Sequence, residues 1–226
     1  MSLCSVHQIP TIVFVSCLML SHASAEIPVD ADALLKKMES AYTRVEDYQT
    51  KVEVRTYKRE DSFETQKFLY TFKKPKWIRL DFESPHSGMV LIYPDKNEKV
   101  RVRLPGVAHI FAFHLSTGNP LITGPAGQRI DQTDLGLLIK NISHSLTDQR
   151  RGPVEIEEDG YVLIRVLAVN HFHEGVVTLY QFFIDKNLWL PLKVEESLPE
   201  GRLERAITFH NVRVNTGVPD SFFQLD

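Results

Sequence analysis

Two histidines in the C-terminal half have the spacing that comes nearest to a metal site. In an extended segment His171 and His173 would lie on the same side, with Glu174 beside them. A protein zinc site needs at least a third ligand, and no other motif in the sequence supplies one. The pair also precedes Gly175 at a predicted hairpin tip. We therefore predict no metal site, and a metal-dependent enzyme that uses His171 and His173 is kept only as a third hypothesis.

The residues that other common reactions require are missing. No serine lies in a Gly-x-Ser-x-Gly elbow, and the glycine-rich segment 123–127 lacks the Lys-Ser/Thr pair of a phosphate-binding loop. Both cysteines, Cys4 and Cys17, fall in an N-terminal segment that we expect to be removed, which excludes a thiol nucleophile from the mature chain. The sequence predicts a protein that is not an enzyme and needs no cofactor.

The N-terminal segment has the pattern of a secretory signal peptide. An apolar run over residues 11–20 is followed by Ala23-Ser24-Ala25, a small-x-small cleavage site. We predict a signal peptide over residues 1–25 that is cleaved after Ala25, and hence an exported protein. Residues 26–226 are few enough to form one core and are predicted to be one domain.

The charge distribution gives no sign of nucleic-acid binding. The formal net charge is −3, and nucleic-acid binding requires a concentrated basic face. The basic clusters at residues 73–76 and 101–103 are predicted to be solvated strand faces, with contact to anionic headgroups as the weaker alternative.

Alternation of apolar and polar residues predicts that most of the chain is β-sheet with one apolar face. The inward-facing sets are Phe68, Tyr70 and Phe72, then Ile78, Leu80 and Phe82, then Val100, Val102 and Leu104. Pro75, Pro85 and Pro94 mark turns or strand ends, because proline cannot donate to a sheet ladder. The nearly continuous apolar runs at 161–169 and 176–184 predict strands that are covered on both faces.

Two amphipathic helices complete the predicted architecture. Asp30 can cap a helix that runs through Tyr42, and a second helix over residues 135–146 has Asp131 or Thr133 as a candidate cap. The fold class is mainly β: one curved antiparallel sheet forming a half-open barrel, with the helices inside it or across its mouth. A helix of this kind either covers one end of a sheet or acts as a lid over a cavity, and the sequence leaves both possibilities open.

Large apolar residues are abundant along the predicted strands, among them Phe172, Tyr180 and Phe182. They fit the core of any one-domain sheet protein. They equally fit the wall of a cavity for one acyl chain or more, because each buried methylene contributes about 0.8 kcal/mol. Counting residues does not decide between these two interpretations.

Three segments resemble the LolA/LolB superfamily of lipoprotein-localisation proteins. Residues 68–85 are similar to its strand, basic-residue-proline turn and strand, and residues 183–195 to its hairpin with Ile-Asp and Leu-Pro. Residues 209–223 match its closing strand and Asn-x-Gly-x-x-Asp-x-x-Phe tail. The resemblance implies a periplasmic half-barrel with a helical lid, whose apolar interior receives acyl chains without covalent chemistry.

One position departs from the family pattern. The carrier protein of this superfamily has an arginine just before the turn proline. This arginine resembles a latch that holds the lid shut through hydrogen bonds to loop carbonyls. This chain has Lys74 there, a point charge in place of a planar fork of donors, so an identical latch is not expected.

The leading hypothesis is a periplasmic carrier that shelters acyl chains of a lipid or lipoprotein, served by an inner-membrane transporter complex or a membrane-anchored partner. The alternative is a regulatory module that binds a partner protein, as the RseB relatives do. The residues predicted for the carrier are the cavity wall (Trp77, Ile78, Leu80, Phe82, Ile92 and Phe182), the lid (Leu35, Met38, Leu138 and Ile142) and the latch (Lys74).

Overall fold

The computed structural model describes residues 30–59, 62–106, 112–124 and 127–225, and in them eleven strands form one antiparallel sheet. The predicted signal peptide and its cleavage point at Ala25 lie outside the described residues. The strands are β1 (Asp47–Arg59), β2 (Ser62–Lys73), β3 (Trp77–Ser84), β4 (Val90–Tyr93), β5 (Val100–Arg103), β6 (Ala112–Leu115), β7 (Arg150–Asp159), β8 (Tyr161–Val169), β9 (Val177–Asp185), β10 (Pro191–Ser197) and β11 (Leu203–Val214).

The first and last strands meet in the middle of the sheet. The strand order is β6-β5-β4-β3-β2-β1-β11-β10-β9-β8-β7, so two meanders join where β1 pairs with β11. The sheet is not closed, because β6 and β7 stand at opposite ends of this order. The half-open antiparallel sheet predicted from the sequence is confirmed.

Two helices, α1 (Ala31–Thr43) and α2 (Leu135–Leu146), pack on the same side of the sheet. Asp30 caps α1, as predicted, by accepting a hydrogen bond of 3.0 Å from the Asp32 backbone N–H. The cap of α2 is Asp134, whose Oδ1 accepts from the backbone N–H groups of Gly136 at 2.8 Å and Leu137 at 3.1 Å. Among the described residues, no helix has the length and hydropathy that crossing a membrane requires.

The prediction of Asp131 or Thr133 as the cap of α2 is wrong, because both side chains serve a separate 3₁₀ turn, Ile130–Gln132. The Thr133 hydroxyl donates to the Ile130 carbonyl at 2.7 Å, and Asp131 forms an ion pair with Arg129. The 3₁₀ turn displaces the start of the helix to Asp134.

The two helices come unusually close to each other at Gly136. A Cβ atom on this residue would overlap the Tyr42 ring, so the absence of a side chain permits the contact. The Tyr42 hydroxyl then donates to Asp134 Oδ1 at 3.0 Å, and the Tyr48 hydroxyl accepts from the Leu135 N–H at 3.0 Å. The start of α2 is therefore tied both to α1 and to β1.

The C-terminal tail packs on the convex face of β3–β5. Its 3₁₀ turn, Asp220–Phe223, places the Phe223 ring 5.6 Å from that of Trp77, in a small cluster with Val90 and Ile92. Arg101 donates to the Phe223 carbonyl. For Arg101 the prediction of a solvated strand face is therefore wrong, because its guanidinium contacts the tail.

Asp47 and Asn215 fasten this tail to the sheet. The Asp47 carboxylate accepts from the Thr216 N–H at 2.7 Å, the Thr216 hydroxyl at 2.9 Å and the Gly217 N–H at 3.0 Å. Asn215 accepts from the Glu46 N–H at 2.7 Å. Residues of the Asn-x-Gly-x-x-Asp-x-x-Phe tail thus attach the C-terminus to the sheet through hydrogen bonds.

Strands β8 and β9 are buried along their inward face, whereas their convex face is mostly half-buried or exposed, with Leu163 as a buried exception. The prediction of cover on both faces is therefore wrong for most of their length. In β9 the inward residues Tyr180 and Phe182 are fully buried, whereas Phe183 and its neighbours on the convex face are half-buried. Phe183 is flanked there by the Tyr161 ring at 5.2 Å and the Lys193 ammonium at 4.9 Å. Neighbouring side chains along the sheet therefore shield the outer apolar groups, and no second layer is needed to do so.

Candidate functional site

A cavity of about 210 Å³ lies between the concave face of the sheet, α2 and residues 121–124 and 127–134. Most of the side chains that line it are apolar. They include Val52, Val54, Phe68, Tyr70, Leu80, Phe82, Met89, Leu91, Ile122, Ile130, Leu138, Phe172, Phe182, Val194, Ile207 and Phe209.

Side chains alternate between the two faces of a strand, so every second residue of these strands contributes to the wall of the cavity. Val52 pairs with Phe68 on one side and with Phe209 on the other, and Phe68 pairs with Phe82, so one row of apolar side chains crosses β3, β2, β1 and β11. The rings of Phe68 and Phe82 are 5.2 Å apart. A parallel row is formed by Phe182, Val194 and Ile207 on β9, β10 and β11.

The segment before α2 forms the rim of the cavity. Leu121 lines the cavity, yet it is 81% exposed, more than any other large hydrophobic residue in the described part of the chain. Ile122 and Gly124 continue the rim on the same segment. One exposed leucine is common on protein surfaces, so the rim adds to the evidence for a site only through its position beside the apolar cavity.

Arg205 and Glu196 form a buried ion pair at one end of the cavity. The two residues are directly opposite each other on β11 and β10, and Arg205 Nη2 lies 2.6 Å from Glu196 Oε1, with only 5% and 11% of the side chains exposed. The guanidinium also lies 5.3 Å from the centre of the Phe172 ring. Burial and the nearby Glu196 carboxylate raise the pKa of Tyr180, so its hydroxyl stays protonated.

The two predicted histidine ligands are separated by the structure. His171 is packed under α2, where Nε2 lies 2.8 Å from Ser145 Oγ and the ring stacks on Tyr180 at 4.6 Å, whereas His173 is exposed. Burial, with the charges of His144 and Arg205, lowers the pKa of His171 to about 4. Within the described ranges, no three His, Cys, Asp or Glu residues are grouped as a metal site would require.

Three of the six predicted wall residues line the cavity: Leu80, Phe82 and Phe182. Ile78 faces the same side but is buried in the main core. Trp77 and Ile92 lie on the convex face with the C-terminal tail, because Trp77 is one residue out of phase with Ile78 and Leu80, and Ile92 is out of phase with Leu91. Side chains one residue apart on a strand point to opposite faces.

Several wall residues were not predicted, although their pattern is visible in the sequence. Val52 and Val54 alternate with charged residues, as do Ile207 and Phe209 with polar ones. Their place in the cavity depends on the pairing of β1 with β11, a contact between the two ends of the chain. Sequence periodicity gives the face of a strand but not its neighbours.

The predicted lid residues lie at different depths. Leu35, Met38 and Ile142 are buried in the main core, whereas Leu138 is only partly buried and lines the cavity. The helices thus fill part of the half-barrel, and α2 borders the remaining space together with the 3₁₀ turn that precedes it.

Lys74, the predicted latch, contacts the end of α1. Its ammonium donates to the carbonyl of Thr43 at 2.8 Å and to that of Tyr42 at 3.4 Å, and lies 5.6 Å from the centre of the Tyr42 ring. A cation at this position is favourable, because the last carbonyls of a helix lack intrahelical partners and carry partial negative charge. One ammonium therefore joins the turn before β3 to the end of α1.

Solved structures resemble this chain in their fold. MucB superimposes with a TM-score of 0.50 at 13% identity, over 88% of this chain and 65% of MucB. The predicted LolA-like fold is confirmed. A DUF1329 family protein from Desulfovibrio piger matches with a TM-score of 0.47 at 14% identity, over 86% of this chain and 97% of its own. A LolA superfamily protein from Nitrosomonas europaea matches with a TM-score of 0.40 at 13% identity, over 87% and 98%.

These similarities concern the fold. No family model matches the chain, and no curated protein matches it. The chain spans about two-thirds of the length of MucB. Because the same fold can carry different functions, the function has to be argued from the cavity.

Proposed function

We propose that this protein is an exported, periplasmic carrier that shelters an acyl chain of a lipid or lipoprotein in the cavity of its half-barrel, without catalysing a reaction. The observation that carries the proposal is the apolar wall contributed by seven strands and α2 around an unfilled space of about 210 Å³. A core built only for stability would fill such a space, because protein interiors are close-packed.

Hydrophobic burial alone can supply the affinity for such a ligand. Each methylene that leaves water contributes about 0.8 kcal/mol, so half of a long acyl chain contributes several kcal/mol. The volume of about 210 Å³ lies below the roughly 300–1,000 Å³ that is typical of pockets for larger ligands. In this closed arrangement the cavity therefore fits one chain, or part of one, better than several.

The helices and Lys74 give this carrier a means of opening. Movement of α1 and α2 away from the sheet would enlarge the cavity, and Leu138 and the rim at Leu121 lie on the part that would move. The hydrogen bonds from Lys74 to the last turn of α1 oppose this movement. In this proposal Lys74 is the latch.

A second candidate function is a regulatory module that binds a partner protein. The observation that favours it is the fold similarity to MucB at a TM-score of 0.50. A solved structure contains Pseudomonas aeruginosa MucB with MucA. A membrane-anchored partner of this chain would correspond to this candidate, whereas a membrane transporter complex would correspond to the carrier.

Uptake of a fluorescent acyl chain tests the carrier proposal. The exported protein is titrated with a nitrobenzoxadiazole-labelled fatty acid, and bound probe is then displaced by an unlabelled long-chain lipid. Saturable, displaceable uptake at about one chain per protein is the expected result. If no saturable uptake occurs, the cavity is not a lipid site and the second candidate replaces the first.

A further inference from the structure

We infer that Arg205 gives the cavity a polar end that recognises the carbonyl oxygen of an acyl ester, so that the ligand is an esterified acyl chain and not a free fatty acid. This inference rests on the proposed function, since it names the class of acyl ligand that the same cavity takes.

The guanidinium of Arg205 has an unused donor. The residue is 4% exposed and lines the cavity, and its Nε–H has no hydrogen-bond acceptor in the part of the chain that the structure describes. A buried donor without a partner costs about 1–3 kcal/mol, so buried polar groups in native proteins are almost always paired. An acceptor supplied by a ligand would remove this cost.

The position of the guanidinium is fixed by its neighbours. Nη2 is held 2.6 Å from Glu196 Oε1, and the guanidinium lies 5.3 Å from the centre of the Phe172 ring. These contacts leave Nε–H as a preoriented donor, which a flexible lysine would not provide.

The apolar wall begins directly beside this donor. Along β11 the next inward residue after Arg205 is Ile207, and along β10 the inward residue before Glu196 is Val194. A molecule with a carbonyl at Arg205 would therefore place its hydrocarbon chain along Ile207, Val194 and Phe182, which line the same cavity.

The charge of Glu196 decides between a neutral and an anionic acceptor. The carboxylate of Glu196 already balances the charge of Arg205, so a second carboxylate here would be a buried like charge beside the first. An ester carbonyl accepts the hydrogen bond without adding charge. The site therefore favours an acyl ester over an ionised fatty acid.

Matched lipids test this without any mutation. The protein is titrated with 1-palmitoylglycerol, with 1-O-hexadecylglycerol, which lacks only the carbonyl, and with palmitate at alkaline pH. We expect the ester to bind about tenfold more tightly than the ether, which corresponds to one hydrogen bond in a buried site, and more tightly than palmitate.

The outcomes separate this inference from the proposed function. If both glycerol lipids bind and the ester binds less than about threefold more tightly than the ether, the difference is smaller than one buried hydrogen bond would give. This result would overturn the role of Arg205 but would leave the carrier proposal standing. If palmitate binds more tightly than 1-palmitoylglycerol, the inference that the ligand is an ester is wrong and the site prefers an anion. If none of the three lipids binds, the carrier proposal itself fails.

Two variants identify the group responsible. Glu196→Met combined with Arg205→Met removes both charges together, so no unpaired charge stays buried, and should bring the ester-to-ether ratio to about one while the ether still binds. Glu196→Gln retains the Arg205 donor and removes the negative charge, so palmitate should gain affinity relative to the ester. An unchanged ester-to-ether ratio in the double variant, or no gain for palmitate in Glu196→Gln, contradicts the inference. If the double variant does not fold, the ratio in the unmodified protein still decides.

Discussion

The ammonium of Lys74 lies 2.8 Å from the carbonyl oxygen of Thr43 and thereby joins the turn between β2 and β3 to the last turn of α1. The two residues are 31 positions apart in the chain. The contact connects a turn of the sheet with α1, and the Tyr42 hydroxyl of α1 in turn binds Asp134 at the start of α2. It is therefore a suitable place to control an opening in which the two helices move together.

Reversing the charge at Lys74 should speed the release of bound lipid. In Lys74→Glu a carboxylate would face the partly negative carbonyl end of α1, so we expect the closed form to lose about 1 kcal/mol or more. Stopped-flow displacement of a fluorescent acyl probe should show a dissociation rate raised about fivefold or more for such a loss.

Lys76→Glu is the matched control for this experiment. Lys76 lies in the same turn, but its ammonium pairs with Glu98 on the exposed surface and not with the helix. Its reversal should leave the release rate nearly unchanged. Equal release rates for Lys74→Glu and the unmodified protein would rule out the latch.

Filling the cavity should abolish lipid uptake. In Ile207→Trp the larger side chain would occupy the space beside Val194 and Phe182. The neighbouring variant Thr208→Trp adds the same group on the convex face and serves as the control. We expect saturable probe binding to be lost in the first variant and kept in the second, with both folded by circular dichroism; binding retained by Ile207→Trp would place the lipid elsewhere.

Removing the charge of Asp47 should destabilise the attachment of the C-terminal tail. Burial acts to raise the pKa of Asp47, but hydrogen bonds from the Thr216 hydroxyl and from the backbone N–H groups of residues 216–218 prevail and hold it below its ordinary value. Asp47→Asn replaces an acceptor-only carboxylate by an amide with one acceptor, so we expect a loss of about 2 kcal/mol in the free energy of unfolding.

The Asp47 carboxylate should also make the stability of the protein sensitive to acid. Because the pKa of Asp47 is lower in the folded state than in the unfolded state, its contribution is present above the unfolded value and is lost as the pH falls through the folded value. Urea unfolding of the unmodified protein and of Asp47→Asn should therefore converge at strongly acidic pH. Glu46→Gln, in an exposed neighbour, is the control, and a difference that does not change with pH would contradict the assignment.

His171 should weaken the fold at moderately acidic pH. Its pKa falls from 6.5 to about 4 in the folded protein, because it is buried under α2 and near the charges of His144 and Arg205. The contribution of the neutral imidazole is therefore present above about pH 6.5 and is lost as the pH falls toward 4. The loss at pH 4.5 should be about 2 kcal/mol, given about 1.4 kcal/mol for each pKa unit.

A variant comparison isolates this effect from that of Asp47. His171→Gln keeps a polar partner for Ser145 but does not titrate, so its unfolding free energy should fall less than that of the unmodified protein between pH 7.5 and 4.5. His173→Gln, at the exposed histidine, should behave like the unmodified protein. Identical pH profiles for the unmodified protein and His171→Gln would mean that His171 protonates freely in the folded state.

The sequence was sufficient to predict the fold class, since each of its signals is local. Asp30 with the following apolar spacing predicts α1, and the alternation of Phe68, Tyr70 and Phe72 predicts the buried face of β2. These signals depend on helix capping and on strand period, which act within a few residues.

The candidate site was only partly predictable, because it depends on contacts distant in sequence. Trp77 and Ile92 are among the predicted wall residues, although their strand phase places them with Phe223 on the other face. Glu196 and Arg205 gave no signal, since a charged pair on a strand ordinarily faces water. Only the pairing of β10 with β11 on the concave side brings the two charges into the apolar cavity.

Native mass spectrometry of the gently purified protein, with analysis of lipids in an organic extract, tests directly whether the cavity holds a lipid. We expect a complex with one acyl-ester lipid or acylated peptide, which dissociates when a competing long-chain lipid is added and is missing from Ile207→Trp. If the protein carries no lipid when isolated and takes up none when lipid is offered, the carrier proposal is wrong, because the apolar interior would then be closed core.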